Sequence, residues 1–207
     1  MRILHVNKFL YRRGGAEGYM FDVAGRQLAA GHEVAFFGMQ HPENDPMPDA
    51  RSFPTEVGFE PPPPTIAGKA QAFGRMLWST SAARGIGEVA DRFGPDIAHL
   101  HNVYHQLSPS ILSALRRRGV PAVMTLHDYK LVCPTYRLLD HGQLCEACLP
   151  RRLWNPVLRK CQGGSLTAST AAAVELSVHT LLGAYGHVAR FACPSRFLLG
   201  KMREGHV

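Results

Sequence analysis

The chain has 207 residues, 45% of them hydrophobic and 19% charged, and 23 Lys and Arg against 16 Asp and Glu give a net charge of +7. This is globular material, which excludes a disordered chain, and no apolar run approaches the roughly 18–20 residues of a membrane-spanning helix. The positive balance favours an anionic partner (a nucleotide phosphate, a nucleic acid or an acidic membrane surface), yet the basic clusters Arg12-Arg13, Arg116-Arg117-Arg118 and Arg151-Arg152 are too short for a nucleic-acid arm.

Met1 leads directly into Arg2-Ile3-Leu4-His5-Val6, without the charged and apolar regions of a secretion signal. The expectation is a soluble, cytoplasmic protein, in which clustered cysteines serve as thiols or metal ligands and not as disulfides. Arg2–Val6 reads as a first strand. Helical spacing then runs from Tyr19 to Ala29 with Gly31 as a stop, and Glu33–Phe37 is a second strand. Strand, glycine loop, helix and strand make the crossover unit of a parallel sheet.

Residues 41–64 are interrupted by eight prolines, at 42, 46, 48, 54 and 61–64, and read as an irregular excursion over the surface. Residues 65–93 are helix-compatible, with Gly68, Gly74, Gly85 and Gly87 suggesting two helices and a break. Ile97–Leu100 is a third strand ending in His101-Asn102. Ser108-Pro109 starts a helix that Gly119 ends, and Pro121–Leu126 is a fourth strand delivering His127. Leu166–Leu182 is helical, Arg190–Cys193 a fifth strand, and Ser195 caps a last helix over Arg196–Glu204. The alternation predicts an α/β fold, a Rossmann-like doubly wound parallel sheet. The glycine loop, His101-Asn102 and His127-Asp128 should meet at one crevice beyond the strand ends.

Gly14-Gly15-Ala16-Glu17-Gly18 places backbone amides at a helix start, where they could meet phosphate; an ordinary turn is the alternative. Glycine would serve close approach there, or a positive φ. Arg13 stands where a dinucleotide fingerprint needs its first glycine, and the second strand ends in Phe37-Gly38-Met39-Gln40 without an acidic ribose ligand. A nicotinamide enzyme is therefore disfavoured. The absence of Gly-Lys-Ser/Thr and of Gly-x-Ser-x-Gly argues against a Walker-type nucleotidase and a serine hydrolase.

Taken in order, Arg2-Ile3-Leu4-His5-Val6, Gly14-Gly15-Ala16-Glu17, His101-Asn102 with Leu107-Ser108-Pro109-Ser110, His127-Asp128-Tyr129 and Pro194-Ser195-Arg196-Phe197 resemble the N-terminal, acceptor-side domain of family 4 (group 1) retaining glycosyltransferases of the GT-B fold. The resemblance covers essentially residues 1–207 as one domain. It implies a second, donor-binding domain, which the chain lacks as far as Val207. The expectation is that this half alone binds donor poorly and transfers nothing. By the same resemblance Gly14 and Gly15 lie against the donor diphosphate or the acceptor, His127 contacts the reacting sugar, and Asn102 and Asp128 line the cleft. No catalytic metal and no paired carboxylates are implied, because the leaving phosphate takes the acceptor proton. The nucleotide-sugar is a co-substrate.

Four of the five cysteines, Cys133, Cys145, Cys148 and Cys161, fall in a Pro- and Arg-rich insertion at about 133–161. The two-residue gap between Cys145 and Cys148 lets both sulfurs grip one ion, so a structural zinc staple is one reading. Free thiols, a redox pair and an iron–sulfur cluster stay open. Cys193 reads as a buried strand cysteine. Lys130 and Arg137 could hold phosphate, with surface solvation the simpler reading. Glu17 could face the cleft or complement the helix dipole. His5 is expected to pack inside its strand, His101 is a cleft candidate, and His99 and His105 are undecided.

The sequence thus predicts a glycosyltransferase half acting on a nucleotide-sugar and a glycan or glycolipid acceptor, in cell-surface polysaccharide or glycolipid assembly. Peripheral contact with the inner face of the membrane is compatible with the charge. The alternative is a non-catalytic, zinc-stapled binding module for an anionic ligand or partner. Nucleic acid is disfavoured, since aromatic and basic residues do not interleave as in a stacking platform.

Overall fold

The computed structural model describes residues 1–58 and 63–207. The elements are β1 (Arg2–Val6), α1 (Gly15–Ala29), β2 (Glu33–Phe37), a 3₁₀ turn (Ala50–Ser52), α2 (Ile66–Leu77), α3 (Thr80–Phe93), β3 (Ile97–Leu100), α4 (Ser110–Arg116) and β4 (Ala122–Thr125). They continue as β5 (Leu139–Asp140), β6 (Gln143–Leu144), α5 (Asn155–Arg159), α6 (Leu166–Leu181), β7 (Val188–Ala192) and α7 (Arg196–Glu204). The chain divides into two compact units. The first is Met1–Thr125 with Ala184–Ala192, and the second is Leu126–Gly183 with Cys193–Val207.

The first unit is built on a five-stranded sheet of order β2-β1-β3-β4-β7, every pairing parallel. Parallel neighbours need crossovers, and side chains alternate between the faces of each strand. Register sets Val6, Phe37, Leu100 and Met124 side by side on one face, all of them buried. Each such side chain contributes about 1.5–3 kcal/mol on burial. Phe53 closes edge-on against Phe37 at 5.4 Å between ring centroids. Helix α3 lies on this side, and a Cβ at Gly85 would collide with the Ser52 carbonyl and approach the Phe37 ring. The opposite face carries His5, Phe36 and His99, and it lies toward α1, whose Gln27 bonds His5. Helices on both faces confirm the doubly wound, Rossmann-like arrangement.

The helix breaks follow capping chemistry more than glycine content. Helices α2 and α3 are separated at Trp78-Ser79, where the Ser79 hydroxyl accepts from the Ala82 amide at 3.2 Å; all four glycines of this stretch sit inside the helices. Gly94 ends α3 in the left-handed conformation, at φ 61°, which glycine adopts without a Cβ penalty. Thr65, Ser165 and Ser195 cap α2, α6 and α7 in the same way as Ser79, each cap worth about 1 kcal/mol.

Residues 41–64 do more than cross the surface. Phe53 and Val57 are buried, and Asn44 bridges the loop after β1 to Met39, accepting from the Leu10 amide and donating to the Met39 carbonyl. The expectation for residues 59–62 lies outside the described residues.

The second unit has little regular structure before α6: a two-residue hairpin of β5 and β6 and the short helix α5, neither visible in the sequence pattern. Helix α7 seats against its start, where a Cβ at Gly205 would collide with Val132. Cys193 lies one residue past β7 and is half-buried, correcting the expectation of a core strand cysteine. Among the described residues, no helix is long and apolar enough to cross a membrane.

Candidate functional site

In the first unit, the strand ends are tied together by a residue that the sequence did not single out. Asn7 follows β1 and is fully buried. Its Nδ2 donates to the Phe9 carbonyl at 2.7 Å and to Glu17 Oε1 at 3.2 Å, and its Oδ1 accepts from the Asn102 amide at 2.9 Å. The Lys8 amide returns a bond to the Asn102 carbonyl at 3.0 Å. One side chain thus joins the loop after β1, the first turn of α1 and the loop after β3. The Asn102 Oδ1 in turn accepts from the Tyr104 hydroxyl at 2.8 Å.

Gly14 caps α1 in an extended conformation at φ −162° and offers no side chain to its first amides. Neither Gly14 nor Gly15 has a positive φ, so glycine is not required here by backbone strain. A Cβ at Gly14 would sit 3.4 Å from Glu17 Oε2, in ordinary contact, and one at Gly15 would meet nothing within 4 Å. Glu17 is buried and turned back toward Asn7. The uncapped N-terminus carries the positive end of the helix dipole, and cations stand nearby in the same loops. The Arg13 guanidinium lies 4.3 Å from the Phe9 ring centroid, and Lys8 lies 5.8 Å from Phe9 and 5.4 Å from Tyr104.

His101 goes elsewhere. It is fully buried and stacks on His5 at 15° between ring planes. Its Nε2 is 3.2 Å from His5 Nδ1, while His5 Nε2 is 2.7 Å from Gln27 Oε1. Because Gln27 Oε1 only accepts, His5 carries its proton on Nε2, and His101 Nε2 donates to His5 Nδ1. His99 Nε2 bonds Thr125 Oγ1 at 2.8 Å. The ligand nitrogens of His5, His99 and His101 lie within 4.8 Å of one another. Burial holds the His5 pKa below its ordinary 6.5, only partly offset by the Gln27 bond. With His5 bonded to His101 and Gln27, and His99 bonded to Thr125, the three rings form a packing layer between sheet and helix, so His101 supports the Asn102 loop from inside and does not face the cleft.

The second unit holds His127, Asp128, Lys130 and the four cysteines. His127 and Asp128 are half-buried just beyond β4. Asp128 Oδ1 accepts from the Lys130 amide at 2.9 Å, which fixes the turn after His127. Lys130 is not solvated: it is 1% exposed and donates to Glu175 Oε2 at 2.5 Å and to the Pro134 carbonyl at 3.0 Å. Arg137 lies over the Tyr136 ring, 5.3 Å from its centroid.

All five cysteines are free thiols. Cys133 and Cys148 share a hydrogen bond that lowers the Cys133 thiol to about 5 and pushes Cys148 up. Burial and the neighbouring Asp140 carboxylate raise Cys161 to about 11.

Against this geometry, the sequence profile of Glycosyltransferase Family 4 matches residues 13–205. The chain belongs to Glycosyltransferase Family 4. The matched span takes in the glycine loop, the Asn102 loop, the His127 turn and all the cysteines. Among solved structures, the Family 4 chain is similar to SsfS6, a glycosyltransferase of Streptomyces sp. SF2575, at 17% identity, with 88% of this chain and 46% of that chain covered and a TM-score of 0.34. The chain therefore spans less than half the length of that structure. No curated protein matches it.

Sequence reasoning missed Asn7 and Glu175, the two residues that fix the loops around the candidates. Asn7 could have been found from its place, a polar side chain directly at the end of a buried apolar strand; Glu175 sits in an Ala-rich helix with no local signal.

Proposed function

We propose that this Family 4 chain is the acceptor-side, N-terminal half of a GT-B enzyme that transfers a sugar from a nucleotide-sugar to a glycan or glycolipid with retention. A second domain supplies most of the donor site, and the acceptor belongs to cell-surface polysaccharide or glycolipid assembly at the inner face of the membrane. The observation that supports this reading is the glycine loop: α1 begins without a side-chain cap at Gly14, Gly15 borders open space, and Asn7 pins that loop to Asn102. Backbone amides at a helix start, with Arg13 and Lys8 beside them, suit an anionic donor diphosphate or acceptor phosphate.

In this reading Gly14 and Gly15 approach the substrate through their backbone, and Glu17 holds the first turn of α1 in place. Asn102 and Asp128 orient sugar hydroxyls, and His127 contacts the reacting sugar. The acceptor oxygen forms the new bond to the anomeric carbon as the bond to the nucleoside diphosphate breaks, and the departing phosphate takes the acceptor proton. No pair of carboxylates is needed, which fits a unit in which Glu17 is already committed to Asn7. The decisive experiment is transfer from a panel of nucleotide-sugars to lipid-linked acceptors by the complete two-domain enzyme, with anomeric configuration read by NMR. Retained configuration, with activity lost in Asn102→Ala, supports the proposal. Absence of transfer across the panel would favour the binding module.

A further inference from the structure

The cysteine-bearing segment has too little apolar burial to account for its shape. Between residues 133 and 161, Leu138 and Leu153 are buried, while Leu144, Trp154 and Leu158 are 88%, 60% and 73% exposed. The backbone is also held in unfavourable places. Tyr136, Leu138, His141, Arg151 and Lys160 all have positive φ, between 47° and 60°. Each such non-glycine residue is strained and persists only where its surroundings over-determine it. A cross-link would supply that constraint, and no disulfide does.

The sulfurs are placed to provide one. Leu138 joins two of them: its amide points to the Cys133 sulfur, and its carbonyl accepts the Cys145 amide at 2.8 Å. The Thr135 amide also points to Cys133, and the Thr135 hydroxyl lies 3.4 Å from that sulfur. Amides aimed at a sulfur two and five residues back suit a metal-bound thiolate, whose charge they share. The hairpin of β5 and β6 leads into Cys145, and the turn to Cys148 is held by Asn155 Nδ2 on the Ala147 carbonyl at 2.6 Å. Helix α5 ends at Lys160 in the left-handed conformation and presents Cys161, whose sulfur reaches Asp140 at 3.8 Å. Cys148 bonds Cys133 directly and lies within electrostatic reach of Cys145 and Cys161.

Among the described residues, His5, His99 and His101 are the one group whose ligand atoms all lie within 4.8 Å of one another, and no three of the four sulfurs are so close; yet His5 is already bonded to His101 and Gln27, and His99 to Thr125, whereas the sulfurs would draw together on an ion. The thiols have only weak partners of their own. We propose that Cys133, Cys145, Cys148 and Cys161 form a tetrathiolate site for one structural zinc ion, which staples residues 133–161. Four Zn–S bonds form and the thiol protons leave to solvent, so the two charges of the ion against four thiolates leave a net −2. Arg159, bonded to Asp140 at 2.8 Å and close to Cys145 and Cys161, offsets part of that charge. The site is independent of the sugar-transfer reading.

The test is metal analysis of the folded chain purified without chelator. One equivalent of zinc is expected, with cobalt replacing it to give the visible ligand-field bands of a tetrahedral thiolate site. Cys161→Ser should lower bound zinc at least tenfold, while Cys193→Ser and His99→Gln keep it. Should Cys161→Ser fail to fold, titration of the wild-type thiols with a mercurial, with zinc release followed by a chromogenic chelator, gives the same answer. Release of one zinc in step with four thiols supports the site. Less than a tenth of an equivalent of zinc after refolding in its presence, iron in its place, or zinc lost with His99→Gln would overturn it.

Discussion

Lys130 and Glu175 form an ion pair in the interior of the second unit, Nζ to Oε2 at 2.5 Å, with side chains 2% and 0% exposed. It ties the first turn after His127 to the middle of α6, and the same ammonium reaches the Pro134 carbonyl at 3.0 Å. Two charges so deep are stable only together. Glu175→Gln or Lys130→Met should each destabilise the fold by about 3–5 kcal/mol, because each leaves the other partner buried and uncompensated. The double substitution Lys130→Met with Glu175→Leu should recover most of that loss. Urea denaturation of the four proteins measures the coupling; additive losses would show that the pair is not a unit.

Gly15 separates a structural role from a substrate role. A Cβ there meets nothing within 4 Å and the backbone is not in a glycine-only region. Gly15→Ala should therefore leave the melting temperature unchanged or raise it, by up to about 1 kcal/mol in stability. If a substrate oxygen approaches the loop backbone, the same variant of the complete enzyme loses transfer and gains KM. Unchanged kinetics would remove Gly15 from the site.

Acid should weaken the sheet through His5. Its pKa in the fold lies below the ordinary 6.5 because burial disfavours the imidazolium. The unfolded chain then takes up the proton first as pH falls past that value, so stability decreases from about there down to the folded pKa. Denaturation midpoints between pH 5 and 7.5 should drop toward acid in the wild type, and His5→Gln should flatten part of that slope.

His127→Ala in the complete enzyme should lower kcat by about a hundredfold or more, the scale of losing one polar contact to a reacting centre. The circular dichroism spectrum should stay that of a folded protein, since the Asp128 carboxylate accepts the Lys130 amide and fixes the turn. A variant that transfers at the wild-type rate would assign His127 to packing.

Much of the sheet was legible because its chemistry is local. β2 and β3 stand where short apolar runs bordered by Gly or Gly-Pro put them, and Ser195 caps α7 as its position announces. Capping hydroxyls, and not the glycines, set the break between α2 and α3, since Ser79 reaches Ala82 over only three residues. Phe53 was misread as surface because its partner, Phe37, comes from another part of the chain. Long-range pairing also hid the buried state of Lys130: the sequence shows a lysine in a polar turn, and its partner is 45 residues away. His101 reads the same from sequence whether it faces a cleft or an inner layer, and only strand parity with His99 decides it.

The edge strand β7 joins β4 in parallel, Met124 opposite Phe191, although the whole stretch Leu126–Gly183 lies between them in the chain. Closing so long a loop is not ruinous, since each doubling of length adds only about 0.6 kcal/mol. Its larger consequence is one of timing on the ribosome. β4 leaves the exit tunnel with one side unpaired and stays so until the thiol-bearing segment and α6 have been synthesised. During that interval its bare amides and carbonyls can pair with a neighbouring nascent chain, and a stall or truncation before Val188 would leave the sheet open to aggregation.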